Sequence, residues 1–92
     1  MAELPRHIEV MKDVFAQSMQ GEMVLLSMTT SHYYGLDEVG TRAWQLIADH
    51  IDPQQLVQQL LAEFDVDEAT LRNDLARLIE DLAAAGLIAC TY

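Results

Sequence analysis

The sequence predicts an α+β domain, a three-stranded antiparallel sheet followed by three helices in a winged-helix-like arrangement. From Val14 to Leu36 the apolar residues come in short runs, broken by polar turns at Gln20-Gly21 and at Thr29 to Ser31. Beyond Asp37 they recur every three or four positions instead, which is helical spacing. Asp37, Asp52 and Asp67 each stand just ahead of such a stretch, where a side-chain oxygen can accept the first free helical N–H groups.

Taken in order, residues 1–13 read as an N-terminal arm, partly disordered, and residues 14–92 as the folded binding domain. Pro5 discourages early structure, and Met1 to Leu4 are expected to be loose. Val14 to Met19 and Met23 to Met28 form a hairpin around Gln20-Gly21, with the glycine supplying positive φ. His32 to Leu36 form the third strand, where paired aromatics suit a pleated surface. By alternation Tyr34 and Leu36 share the core face, while Tyr33 and Gly35 point the other way. The first helix starts at the Asp37 cap, buries Val39, Ala43, Leu46 and Ile47, and stops near Asp49 or His50. Asp52-Pro53 restarts the chain, because proline suits the first helical position. Leu56, Val57, Leu60 and Leu61 supply the second buried stripe. Asp67 caps the third helix, whose inner face is Leu71, Leu75, Leu78, Ile79 and Leu82. Gly86 sits where a left-handed C-terminal cap belongs, so Leu87 and Ile88 can fold back onto the core.

Composition removes several function classes. Fifteen acidic against five basic side chains give 92 residues a net charge of -10. A nucleic-acid binder needs several Lys or Arg along phosphates. Lys12, Arg6, Arg42, Arg72 and Arg77 are scattered, and the third helix holds more acids than bases. A winged-helix DNA-binding regulator is therefore the weaker alternative, and no nucleic-acid partner is expected. No apolar stretch approaches the ~20 residues of a membrane span, and the start lacks a signal-peptide pattern. A cytoplasmic location without membrane contact follows as the expectation.

Catalytic constellations are equally sparse. His7, His32 and His50 never pair at helical spacing, and Asp65-Val-Asp-Glu68 lacks the glycine and closing glutamate of a calcium loop. Ser18, Ser27 and Ser31 lack the flanking glycines of a nucleophile elbow, and the glycines are isolated rather than gathered in a phosphate loop. Cys90 is alone, which excludes a disulfide framework and suits a small inert residue. The expectation is a non-enzyme without metal or cofactor. Its informative segment is Ser31 to Trp44, where a short strand runs straight into a helix. Were that strand at the sheet edge, its free N–H and C=O groups could recruit a foreign strand. Alternation alone leaves this open beside the plainer reading of core packing.

Gly21-Glu-Met-Val-Leu-Leu26, Tyr33-Tyr-Gly-Leu-Asp-Glu-Val-Gly-Thr-Arg42 with Trp44, Asp65-Val-Asp67 and Ala85-Gly-Leu-Ile88 together resemble the PqqD family of peptide-modification chaperones. That family includes the stand-alone leader-recognition proteins of lasso-peptide biosynthesis. The resemblance runs from about Val14 to Ile88. Two positions depart from it: Thr30-Ser31 stands where the family commonly has Thr-Gly, and Ser27 where it often has Asn or Asp. Both sit at the second turn, so its geometry is where a difference is expected.

The resemblance implies a leader peptide lying as a fourth strand between the third strand and the third helix. His32, Tyr33, Tyr34, Gly35 and Leu36 would contribute from the strand, and Leu71, Asp74, Leu75 and Leu78 from the helix. Asp74 could meet a basic leader residue. The implied partners are a ribosomally made precursor peptide and a separate modifying enzyme, such as a leader protease of the lasso type. A chaperone for a radical enzyme is the alternative within the family.

Overall fold

The computed structural model describes residues 4–20 and 22–92. The expected looseness of Met1 to Glu3 and the conformation of Gly21 lie outside the described residues. In chain order the elements are β1 (His7–Val10), β2 (Val14–Met19), β3 (Glu22–Ser27), β4 (Tyr33–Leu36), α1 (Glu38–Ala48), α2 (Pro53–Glu63), α3 (Glu68–Ala84) and β5 (Ile88–Thr91).

The predicted meander is present as a sheet of order β2-β3-β4, antiparallel throughout. Phe15 opposes Leu26, which opposes Tyr33; Ala16 opposes Leu25, which opposes Tyr34. Leu25 is fully buried on the face turned to the helices, and its neighbour Tyr34 is half-buried there. The opposite face is open: Phe15 is 60% and Tyr33 76% exposed. Residue period two thus sends Tyr34 and Leu36 inward and Tyr33 outward, as alternation requires.

The helices begin where the aspartates place them. Asp37 accepts from the Gly40 N–H at 2.8 Å, Asp52 from Gln54 at 2.9 Å and Asp67 from Thr70 at 3.0 Å. Pro53 opens α2, where its missing donor is no loss. Gly86 takes φ +78 just past α3, and a side chain there would also meet Thr30. Leu56, Leu60, Ile79, Leu82 and Leu87 are fully or almost fully buried, so the helical trio and the returning C-terminal segment share one core with Leu25.

One element is new. His7–Val10, within the N-terminal arm, pair antiparallel with Ile88–Thr91 as a separate two-stranded sheet. The Arg6 N–H extends this clasp to the Thr91 carbonyl at 2.8 Å. Ile8 is buried, and Pro5 packs against α2, its carbonyl accepting from Gln54 at 3.4 Å.

The second turn explains the residues that occupy it. Ser27 is buried; its hydroxyl accepts from the Thr30 N–H and donates to Asp13. Asp13 also accepts from the Thr29 N–H at 2.9 Å, and hydrogen bonding to Thr29 holds its carboxyl below the usual range. Ser31 adopts φ 63, the left-handed conformation that glycine takes without strain. Serine here holds a backbone conformation that suits glycine better.

Candidate functional site

Strand β4 lies at the border of its sheet, hydrogen-bonded to β3 on one side only. Which of its main-chain groups are free follows from the ladder. Ser27 donates to His32 across the β3–β4 pair, and Met28 donates to Asp13 across the β2–β3 pair. Antiparallel pairs alternate between bonded and non-bonded partners. Tyr34–Leu25 and Leu36–Met23 are therefore the bonded pairs, and Tyr33 and Gly35 turn their N–H and C=O outward. Among the described residues the N-terminal arm does not cover this border, because β1 is paired with β5 instead.

A groove of about 400 Å³ opens between β4, the start of α1 and one face of α3. Tyr34, Gly35 and Leu36 form its strand wall; Leu71, Asp74, Leu75 and Leu78 belong to its helix wall. The structure brings these seven of the nine candidate residues to one groove. His32 and Tyr33 fall outside the lining: His32 is exposed in the approach to β4, and the Tyr33 side chain stands on the far face of the sheet. Tyr33 reaches this border through its main chain alone.

The sequence reading left out Asp37 at the α1 cap, Val39, Gly40 and Ala43 from α1, Val66 from the α2–α3 connection, and Thr70, Arg77 and Asp81 along α3. Those last three sit four residues before, three after and seven after Asp74. Helical spacing puts them on its flank, so Asp74 itself was the signal that could have found them. The α1 residues had no such signal, because which side of α1 faces α3 is set by tertiary packing.

Two hydrogen bonds join the walls. The Thr30 hydroxyl donates to the Ala85 carbonyl at 3.2 Å, tying the β3–β4 turn to the end of α3. The Tyr34 hydroxyl donates to Asp81 at 3.2 Å, crossing from strand to helix. Burial and then the Asp81 carboxylate raise the Tyr34 phenol above its ordinary value, so it remains a neutral donor near pH 7. The floor is apolar, with Leu36, Leu71 and Leu75 at most 4% exposed, and Leu78 is half-buried at the lip.

The site has the chemistry of a binding cleft. Among the described residues no three His, Cys, Asp or Glu side chains gather closely enough to hold a metal ion. Cys90 lies on β5, away from the groove, and burial pushes its thiol up. Among the described residues no helix is long and apolar enough to cross a membrane.

Comparison with known proteins adds three findings. The family model described as coenzyme PQQ synthesis protein D (PqqD) matches residues 22–88. Comparison with the curated proteins returns no match. Among solved structures, TbiB1 in complex with the TbiA(beta) leader peptide is 34% identical, with a TM-score of 0.79, covering 87% of this chain and 93% of that one. Lasso peptide synthetase B1 complexed with the leader peptide is 22% identical, with a TM-score of 0.78, covering 90% of this chain and 98% of that one, and bears on the fold alone.

Proposed function

The chain belongs to the PqqD family, and from that premise we propose that it is a non-catalytic adaptor that holds a precursor's leader segment as an added strand on β4 and presents it to a separate modifying enzyme. The observation that carries this reading is the unpaired β4 border directly beside an apolar groove. Strand addition takes affinity from main-chain hydrogen bonds and selectivity from pockets for alternate side chains. Tyr33 and Gly35 provide the hydrogen bonds; Tyr34, Leu36, Leu71, Leu75 and Leu78 provide the pocket. His32 would meet the guest where it leaves the border. The 34% identity to a protein solved in complex with a leader peptide supports a leader segment as the guest; a lasso-type pathway with a leader protease as the enzyme served is the reading that the sequence resemblance favours.

Magnitudes agree with a transient adaptor. The outward groups of Tyr33 and Gly35 allow main-chain hydrogen bonds of ~1 kcal/mol each, about 4 kcal/mol together. Two apolar guest side chains buried at ~2 kcal/mol each contribute about as much again. Ordering a flexible peptide removes roughly 2–5 kcal/mol. The remainder of about 3–6 kcal/mol corresponds to dissociation constants from millimolar to tens of micromolar. Contacts from the enzyme would then complete the affinity.

Burial decides which substitution tests this. Leu75 is 2% exposed, so an acid there would probe folding rather than binding. Gly35→Pro is the sharper variant. It removes an outward N–H, leaves the bonds to β3 intact and places a ring in the path of the guest. With a leader peptide that binds the wild-type chain as ligand, calorimetry should show affinity falling at least tenfold while circular dichroism is unchanged. Equal affinity in the folded variant would move the binding site elsewhere.

A further inference from the structure

Three carboxylates and one guanidinium line the groove: Asp37, Asp74, Asp81 and Arg77. Their situations differ. Asp37 is occupied as the α1 cap, accepting from Gly40, and Asp81 is held by the Tyr34 hydroxyl. Asp74 has no hydrogen-bond or ion-pair partner among the described residues, and Arg77, three positions on, forms no ion pair with it. The groove thus keeps one uncommitted acid beside one guanidinium, Arg77, that also has no ion pair among the described residues; the balance of its charged lining is negative, as is the chain's net charge of -10.

Its neighbours give that acid a shape to recognise. Leu71 and Leu78 lie three residues before and four after Asp74, so all three stand side by side on α3. An aliphatic stem lying over either Leu71 or Leu78 would bring its end to the Asp74 carboxylate between them. Lys and Arg are the side chains that combine such a stem with a cationic head. Asp or Glu brings at most two methylenes and would be repelled by Asp74, and a purely apolar residue would gain nothing from the carboxylate, which stays solvated.

Resting on the reading of the groove as the leader site, we propose that Asp74 sets a charge preference in it: the bound segment carries Lys or Arg at one inward-facing position between apolar residues. The strong net charge would also steer a cationic segment toward the groove, faster at low salt. Exposed ion pairs are weak, but reversing one partner replaces attraction with repulsion, so a preference of about threefold to tenfold is the expected size.

The test is selection from a displayed library of random 12-residue peptides on the full chain, on Asp74→Lys and on Gly35→Pro as background. Asp74 is exposed, and circular dichroism verifies that each variant folds. The wild-type chain should enrich Lys or Arg at one position flanked by apolar residues two away on either side. Asp74→Lys should enrich Asp or Glu at that position. In fluorescence anisotropy the best wild-type peptide should lose threefold to tenfold on Lys→Glu exchange, and Asp74→Lys should recover that loss. The same profile from wild type and Asp74→Lys, absent from Gly35→Pro, overturns the charge preference and leaves the groove reading intact. A profile that survives Gly35→Pro, or no enrichment above it, overturns the groove reading and the preference with it.

Discussion

Ser31 shows how much a single backbone angle decides. Its φ of 63 lies in a region where a side chain costs about 1–2 kcal/mol. Glycine avoids that cost but loses about 0.5–1 kcal/mol of extra conformational freedom on folding. Ser31→Gly should therefore stabilise the protein by about 0.5–1 kcal/mol, read as a higher urea midpoint at unchanged slope. The sequence showed a polar turn here and could not show its handedness. The angle is fixed by Ser27, Asp13 and Thr30, and Asp13 belongs to a different strand connection. Tyr33 and Tyr34 were separable from sequence because strand alternation is a local rule. That only the main chain of Tyr33 reaches the open border required the register against β3.

Among the elements, α3 carries the groove's helix wall, and its start depends on Asp67. That carboxylate accepts from the Thr70 N–H at 3.0 Å and the Thr70 hydroxyl at 3.2 Å. Asp67→Ala should lower unfolding free energy by about 1 kcal/mol in denaturant titrations. Asp67→Asn should retain most of it, because an amide oxygen also caps. The three helices were legible because caps, proline and apolar spacing all act within a few residues. The β1–β5 pair was not. Each strand has four residues, and their partners lie about eighty positions apart, so neither carries a local turn signal. The α3 wall stands between: its apolar face was readable as Leu71, Leu75 and Leu78, while its polar flank gained meaning only once β4 stood opposite.

For the whole molecule, charge is the dominant long-range term. A net -10 repels itself in the folded state, where the acids are closer together than in an extended chain. Raising sodium chloride from about 10 to 150 mM shortens the screening length from roughly 30 to 8 Å. The thermal midpoint should rise over that range. A fall would mean that the Arg42–Glu63 and Arg72–Glu68 pairs outweigh the general repulsion. The groove itself came from joining two parts of the chain that the sequence presents separately. The β1–β5 clasp has its own bearing on use. It holds Arg6 beside Thr91 and Tyr92, and none of the groove lining comes from it. A dye coupled to a cysteine placed at either Arg6 or Thr91 would thus sit at one corner, outside the residues that line the groove.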